Sequence, residues 1–303
     1  MAHTVHPRFD LAGFSKLFSL ADLKERAREH VFLAPAGQII TSPFHLTVTE
    51  LIRREALGEA LPVGAEPADV FVFGAGEPAA PYLTKVGGAP FRSRHKVWPT
   101  TDSGRLLGFV GQLSFVDSMD LVGSVPGEVL LIFADPENLL SEPAYLLEWV
   151  TLDETDILSM SEVPAVTYAW KPGRVAQRKG ALPEKRPFAP FVCHGVIHRT
   201  FDLPGSEPQF VAYAQPSRLA ILEGTKIAGV PHWTQSPQTM VGRFLAALGS
   251  IQPASEVVYP WVNQPAPLSR SARHAIPTWK YSDMGTLNVF ENQGRAVLSA
   301  QSY

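Results

Sequence analysis

The sequence contains one cysteine, Cys193, and few charges: 18% of its residues are charged and its formal net charge is −3. A single cysteine excludes a disulfide within the chain and a cysteine-rich zinc site. The small net charge lacks the basic footprint that nucleic acid or an anionic membrane attracts. No apolar run reaches the ~18 residues that span a bilayer, and the first residues lack the apolar segment of a signal peptide. We therefore expect a cytoplasmic protein without a cofactor, a nucleic-acid partner or a membrane partner.

The chain is instead rich in apolar residues and in proline. Hydrophobic residues make up 45% of its 303 residues, which is enough for a sizeable packed core, and 27 residues are proline. Because proline has a fixed φ and no backbone N–H, this content favours short strands and stiff loops over long helices. The length fits one large domain or two ordinary ones.

The stretch from Thr84 to Pro136 predicts a turn, a strand, a second turn and a second strand. Residues 106–115 and 126–136 are apolar runs with β-branched and aromatic side chains, and both are bounded by Gly, Pro or Asp. Gly87 and Gly88 let the backbone turn where a Cβ would clash. The stretch contains no combination of nucleophile, base and orienting group, so it indicates shape rather than chemistry.

The order of four motifs in this stretch resembles the YwqG-like family. The motifs are Lys85-Val86-Gly87-Gly88-x-Pro90, Trp98-Pro99, Gly108-Phe109-x-x-Gln112-Leu113 and Pro126-Gly127-x-x-Leu130-x-x-Phe133. The resemblance implies a mostly β fold built from two related halves. It also implies a cytosolic immunity protein that blocks a toxin delivered by a type VI or contact-dependent secretion system.

The amino-terminal part of the chain predicts helices. Leu20, Leu23, Ala27 and Val31 share one face of a helix, and residues 47–50 fit a capping box at the start of a second. Between the two helices, residues 38–41 are a candidate for a short strand.

The carboxy-terminal part repeats the order of the earlier motifs. Residues 225–231 correspond to 84–90, residues 243–248 to 108–113, and residues 284–290 to 126–133. Three matches in one order predict an internal duplication. Residues 236–250 are ambiguous, because Ser236-Pro237 and the apolar spacing after it also fit a capped helix. We follow the repeat, which predicts a strand.

These patterns together predict a β-rich α+β fold. Residues 1–64 are predicted to form a helical region that packs on two related sheet-forming halves, 65–180 and 190–303. The three segments are predicted to form one compact unit.

Two functional hypotheses depend on dispersed residues. The first is an enzyme site assembled from Cys193, His194, His198, His232 and His274 with Asp or Glu partners. As two histidines on one face of a strand, His194 and His198 are also candidates for metal ligands. The second is a small-molecule pocket lined by Trp98, Trp233, Trp261 and Trp279. For the cysteine, surrounded in sequence by apolar residues, we predict a buried thiol that does not react.

The hypothesis that we favour is a non-enzymatic protein, monomeric when free, that binds a cognate protein toxin. Two loops rich in cations and aromatic residues are the predicted contact regions, because such side chains are common anchors of tight interfaces. The cations of the first loop would meet an acidic toxin surface. The predicted partner-binding residues are Phe91, Arg92, Arg94, Lys96, Trp261, Arg270 and Arg273.

Overall fold

The structure, a computed structural model, describes residues 3–12, 39–40, 51, 63–138, 145–170, 184–188, 192–203, 224–233, 238–250 and 285–301. Thirteen strands lie in these ranges. In chain order they are β1 Ile39–Ile40, β2 Glu66–Ala75, β3 Lys85–Gly87, β4 Gly108–Ser114, β5 Val129–Ala134, β6 Tyr145–Val150, β7 Thr167–Trp170, β8 Glu184–Pro187, β9 Val192–Asp202, β10 Lys226–Ala228, β11 Arg243–Gly249, β12 Thr286–Asn292 and β13 Arg295–Gln301. A short helix, α1, spans Met119–Val122, and a single 3-10 turn spans Met160–Glu162.

One antiparallel sheet dominates the described residues. Its strands run in the order β13-β12-β11-β10-β2-β9-β3-β4-β5-β6, with β1 beside β2, and β7 and β8 form a separate two-stranded sheet. The two end strands, β13 and β6, contact each other, so the sheet is nearly closed. Among the described residues, no helix is long and apolar enough to cross a membrane.

The predicted α+β fold class is therefore wrong. The described residues form a β-rich, barrel-like sheet with very little helix. The helices predicted at the amino terminus fall mostly outside the described residues, although the short strand predicted at 38–41 is confirmed as β1. The error has a physical cause: helix periodicity and caps are local signals, whereas sheet pairing depends on contacts between distant segments. The boundaries proposed for the three segments remain a prediction.

The sheet is covered on both of its faces, which explains the continuous apolar sequence of β5. Leu130, Ile132 and Ala134 face an inner core, and the alternate residues face an outer core. All six residues of β5 are buried. The outer core contains Phe91, Leu107, Phe109, Val129, Leu131, Phe133 and Val150.

The strands of the two sequence repeats hold corresponding places in the sheet. One set is β2 to β6 and the other is β9 to β13. The first strand of each set lies between the first and second strands of the other set, since β2 has neighbours β9 and β10 while β9 has neighbours β2 and β3. The long pairing of β2 with β9 runs from Glu66↔Asp202 to Ala75↔Cys193.

The correspondence extends to single hydrogen bonds. The Thr84 hydroxyl accepts the N–H of Ser114 at 3.0 Å, and the Thr225 hydroxyl accepts the N–H of Gly249 at 3.1 Å. Each set also has a register shift in the same place, after Phe109 in one and after Phe244 in the other. These matches mean that the repeated motifs encode the same local pairings twice.

The ambiguous segment at 236–250 contains β11, so the strand predicted by the repeat is confirmed. The strand pairs with β10 on one side and with β12 on the other. Its residues 245–249 are all buried, which a surface helix with one apolar face would not achieve.

The turn after the second strand of each set requires a left-handed backbone. Gly87 and Gly88 have φ of 71° and 74°, and their counterparts Ala228 and Gly229 have φ of 59° and 72°. Alanine in this region carries a steric penalty of roughly 1–2 kcal/mol, because its Cβ approaches the following carbonyl oxygen.

We predict that Ala228→Gly stabilises the protein by about 0.5–1 kcal/mol, since relief of the Cβ strain exceeds the extra entropy of an unfolded glycine. The reciprocal change Gly87→Ala is the matched control and is expected to lower the free energy of unfolding by about 1 kcal/mol. Urea denaturation of the three proteins measures both effects. Equal changes of the same sign would contradict the assignment of strain to position 228.

Candidate partner-binding surface

Two of the predicted anchors, Phe91 and Arg92, are buried rather than exposed. The side chain of Phe91 packs in the outer core beside Tyr82, with ring centroids 5.8 Å apart, and its N–H donates to the Gln112 side chain. Arg92 is only 5% exposed. The expectation that both stand on an exposed loop is corrected, because the loop folds back over the apolar face of β4 and β5.

The guanidinium of Arg92 binds this loop to the sheet through hydrogen bonds. It donates from Nε to Glu148 on β6 at 2.9 Å and from its two terminal nitrogens to the carbonyl oxygens of Lys96 and Val97, both at 2.9 Å. It also lies 6.0 Å from the centre of the Phe133 ring. A buried arginine with these partners holds the loop in one conformation.

The other predicted cations of this loop, Arg94 and Lys96, are partly exposed but are neutralised by acids. Arg94 pairs with Asp156 at 2.7 Å and with Glu162 at 3.5 Å. Lys96 pairs with Glu148 at 2.9 Å. Backbone hydrogen bonds join the same segments, from the N–H of Arg94 to the oxygen of Asp156 and from the N–H of Leu158 to the oxygen of Arg92.

We give the name loop surface to the region formed by residues 92–106, 135–138 and 145–162, which contains both buried and exposed side chains. It contains four cations, Arg92, Arg94, Lys96 and Arg105, and all four form salt bridges. It contains eight acids: Asp102, Asp135, Glu137, Glu148, Asp153, Glu154, Asp156 and Glu162. With His95 neutral, its formal charge is −4, whereas the whole chain has −3. The cationic character predicted from the loop sequence is therefore wrong for the surface as folded.

Large apolar side chains are exposed on the loop surface. Eight such side chains are exposed among the described residues, and four belong to this face: Val97 at 88%, Met160 at 63%, Leu106 at 40% and Leu146 at 39%. Trp98, next to Val97, instead turns inward: it packs against Phe133 and donates its indole N–H to the oxygen of Leu107. The surface thus combines exposed apolar groups with surrounding charge.

The second predicted contact region lies outside the described residues. This applies to Trp261, Arg270 and Arg273, as well as to His274 and Trp279.

Cys193 is buried, as predicted. Its side chain is in the inner core, and burial raises the pKa of the thiol well above its usual range. Because the thiolate is the reactive form, we predict that native protein resists alkylation at neutral pH whereas unfolded protein reacts. Mass measurement after treatment with iodoacetamide distinguishes the two, and rapid labelling of the native form would contradict the prediction.

The histidines near Cys193 do not gather around one point. His194 and His198 are four residues apart on β9, a separation of about 13 Å along a strand, which is too long for two ligands of one metal ion. His232 is fully buried, and burial lowers its pKa to about 3, with a smaller contribution from nearby Lys226. The described residues contain no group of three or more His, Cys, Asp or Glu side chains able to hold a metal ion.

The tryptophans at 98 and 233 are packing residues in corresponding places. Trp98 contacts Phe133 of β5 with ring centroids 5.5 Å apart, and Trp233 stacks on Phe290 of β12 at 6.1 Å. Their faces are thus used in contacts within the protein, which disfavours a pocket lined by these two rings.

One buried histidine–carboxylate pair was not anticipated from the sequence. His6 Nδ1 lies 2.7 Å from Asp117, while its Nε2 accepts the N–H of Thr84 at 2.9 Å. Burial opposes ionisation of Asp117, but hydrogen bonds from His6 prevail and lower its pKa. Since both ring nitrogens of His6 are engaged, the pair fixes the amino-terminal segment to the sheet and has no nitrogen available as a general base.

Fold and surface together describe a nearly closed antiparallel β protein with an acidic surface that also exposes apolar side chains. Comparison of the sequence with protein-family models finds no match, and comparison with curated proteins finds no match either. The resemblance to YwqG-like proteins, and the function that it implies, therefore remain predictions.

Proposed function

We propose that this protein is a non-catalytic cytoplasmic immunity protein, monomeric when free, that binds a cognate secreted toxin and blocks it. The observation that carries the proposal is the loop surface, where four apolar side chains are exposed among charged residues. Apolar groups surrounded by a polar rim are the usual arrangement of protein–protein interfaces. The resemblance to YwqG-like proteins supplies the toxin as the kind of partner.

The salt bridges that hold residues 92–96 in one conformation favour high affinity for a partner. Arg92, Arg94 and Lys96 tie the loop to β6 and to the segment around Asp156, so little conformational freedom is left to lose when a partner binds. A toxin inhibitor needs such tightness, because a small free fraction of an enzymatic toxin still turns over many substrates. Nanomolar affinity corresponds to about 12 kcal/mol.

The test is co-expression with the product of a neighbouring gene, followed by calorimetry of the purified proteins. We expect the product to be toxic alone, harmless in the presence of this protein, and bound in a stoichiometric complex. The proposal fails if no neighbouring product is toxic, or if a toxic one is neither neutralised nor bound at micromolar concentration.

Substitutions on the loop surface test where the toxin binds. Val97→Asp is expected to weaken binding of the toxin by about a hundredfold, because the substitution removes an apolar contact at the centre of the interface. Val241→Asp is the matched control, because the side chain of Val241 is likewise exposed, at 70%, but lies outside the loop surface. If the two variants bind equally well, the toxin uses another face and the immunity function itself is unaffected.

A further inference from the structure

We infer that the loop surface takes a basic protein partner, one whose contact face carries lysine or arginine around an apolar centre. This inference rests on the proposed function as a binding protein and specifies the chemistry of the partner. It reverses the charge expected from the sequence, where the cations of residues 92–96 pointed to an acidic partner.

The cations of the loop surface are already neutralised by carboxylates. All four cations of the loop surface have carboxylate partners within the same surface: Arg92 and Lys96 share Glu148, Arg94 has Asp156 and Glu162, and Arg105 has Asp135. An acidic partner would have to compete with these carboxylates for each cation. It would also meet their repulsion, since like charges placed together across an interface disfavour association.

The loop surface also has more acids than its cations can neutralise. Asp102 and Glu154 form no salt bridge within the described residues, and neither is buried. The loop surface has a formal charge of −4, which leaves +1 for the remainder of the chain. The loop surface therefore carries a net negative formal charge, which can steer an oppositely charged partner toward it.

The exposed apolar side chains of the loop surface lie beside these charged pairs. Val97 and Leu146 both flank the Arg92–Glu148 pair: Val97 supplies a carbonyl oxygen to Arg92, and Leu146 lies two residues from Glu148 on the same face of β6. Met160 lies two residues from Glu162, the partner of Arg94. A basic partner with a complementary apolar centre satisfies both features. A second copy of this chain does not, because two faces of charge −4 repel each other.

The test uses a short fluorescein-labelled peptide in which lysines flank two leucines, and a control peptide with glutamate in place of lysine. Fluorescence anisotropy at low ionic strength measures the binding of each. We expect the lysine peptide to bind the intact protein, with affinity that falls as salt is added, and the glutamate peptide not to bind.

Two double variants locate the binding face. Asp102→Lys with Glu154→Lys changes the formal charge of the loop surface from −4 to neutral, and we expect the lysine peptide to bind it about tenfold more weakly. Asp10→Lys with Glu66→Lys makes the same charge change at exposed positions elsewhere and is expected to leave binding nearly unchanged. Equal losses in both variants, or no binding of the lysine peptide to the intact protein, would overturn the inference.

The outcome is separable from that of the proposed function. If a toxin is neutralised and bound but the Asp102/Glu154 variant binds it unchanged, the inference fails while the immunity function stands. If the peptide behaves as expected but no neighbouring product is neutralised, the immunity function fails and the basic-partner inference stands.

Discussion

Replacing Lys226 by methionine is expected to lower the free energy of unfolding by about 3–5 kcal/mol, the usual cost of breaking a buried ion pair. Lys226 and Asp202 are both fully buried, and the ammonium donates to the carboxylate at 2.5 Å. The backbone N–H groups of Leu203 and Val230 also donate to Asp202 but carry no full charge. Without the lysine, the buried carboxylate loses its ion pair with the ammonium. Denaturation in guanidinium chloride measures the loss.

The duplicated fold supplies the matched control for Lys226. Lys85 holds the corresponding position and is equally buried, but its partner Glu77 is 45% exposed. Burial lowers the pKa of Lys85, against the opposing effect of Glu77, so its charge is costly to keep. Once Lys85 is replaced by methionine, Glu77 can be hydrated, and we expect a loss below about 1 kcal/mol.

A second change distinguishes buried charge from lost packing. Adding Asp202→Asn to Lys226→Met removes the charge of the buried carboxylate and is expected to recover part of the stability. If the double variant is no more stable than the single one, the loss comes from packing around the lysine stem.

The second large effect is expected at Arg199, where methionine should cost about 2–4 kcal/mol, because a fully buried carboxylate loses its bidentate partner. Arg199 on β9 donates to both carboxylate oxygens of Asp69 on β2, at 2.9 and 2.7 Å, and also to Asp120 and the backbone oxygen of Asp117. These hydrogen bonds raise the pKa of Arg199 above its ordinary value. They also join the pair of strands β2 and β9 to the segment that begins α1. Thermal and urea unfolding measure the change.

Arg8→Met is the control for Arg199. Arg8 is 56% exposed and makes one contact of 3.3 Å to Asp117, so we expect a change below about 0.5 kcal/mol. Arg199→Lys should fall between the two, since lysine keeps the charge but cannot bind both oxygens in one plane. A lysine variant as unstable as the methionine variant would mean that geometry, rather than charge, holds this site together.

Part of the fold was readable from the sequence because it depends on local patterns. The apolar runs between Gly, Pro and Asp residues correctly predicted β4 and β5. The repeat correctly predicted β11 as a strand, although the local sequence also fits a helix. The threonine that opens each repeat makes the same backbone hydrogen bond in both. The burial of Cys193 followed from its apolar neighbours.

For residues 91–96 the sequence predicted a loop, but neither the burial of its first residues nor the charge around it. Residues 91–96 do lie in a loop that covers the outer core, yet Phe91 and Arg92 are buried in it. The sign of its charge depends on acids that lie far along the chain from the loop, such as Glu148 and Asp156. A count of charges within the loop could not include them.

The sequence by itself thus determined several of the strands, their duplication and the apolar surroundings of the thiol, because each depends on residues close together in the chain. Only the tertiary structure decided that both repeats join one nearly closed sheet, with β2 paired to β9 more than a hundred residues away. It also decided which charges are neutralised and which face remains acidic. Both follow from the same physical reason: sheet pairing and ion pairing are contacts in space, and their partners are fixed only when distant segments meet.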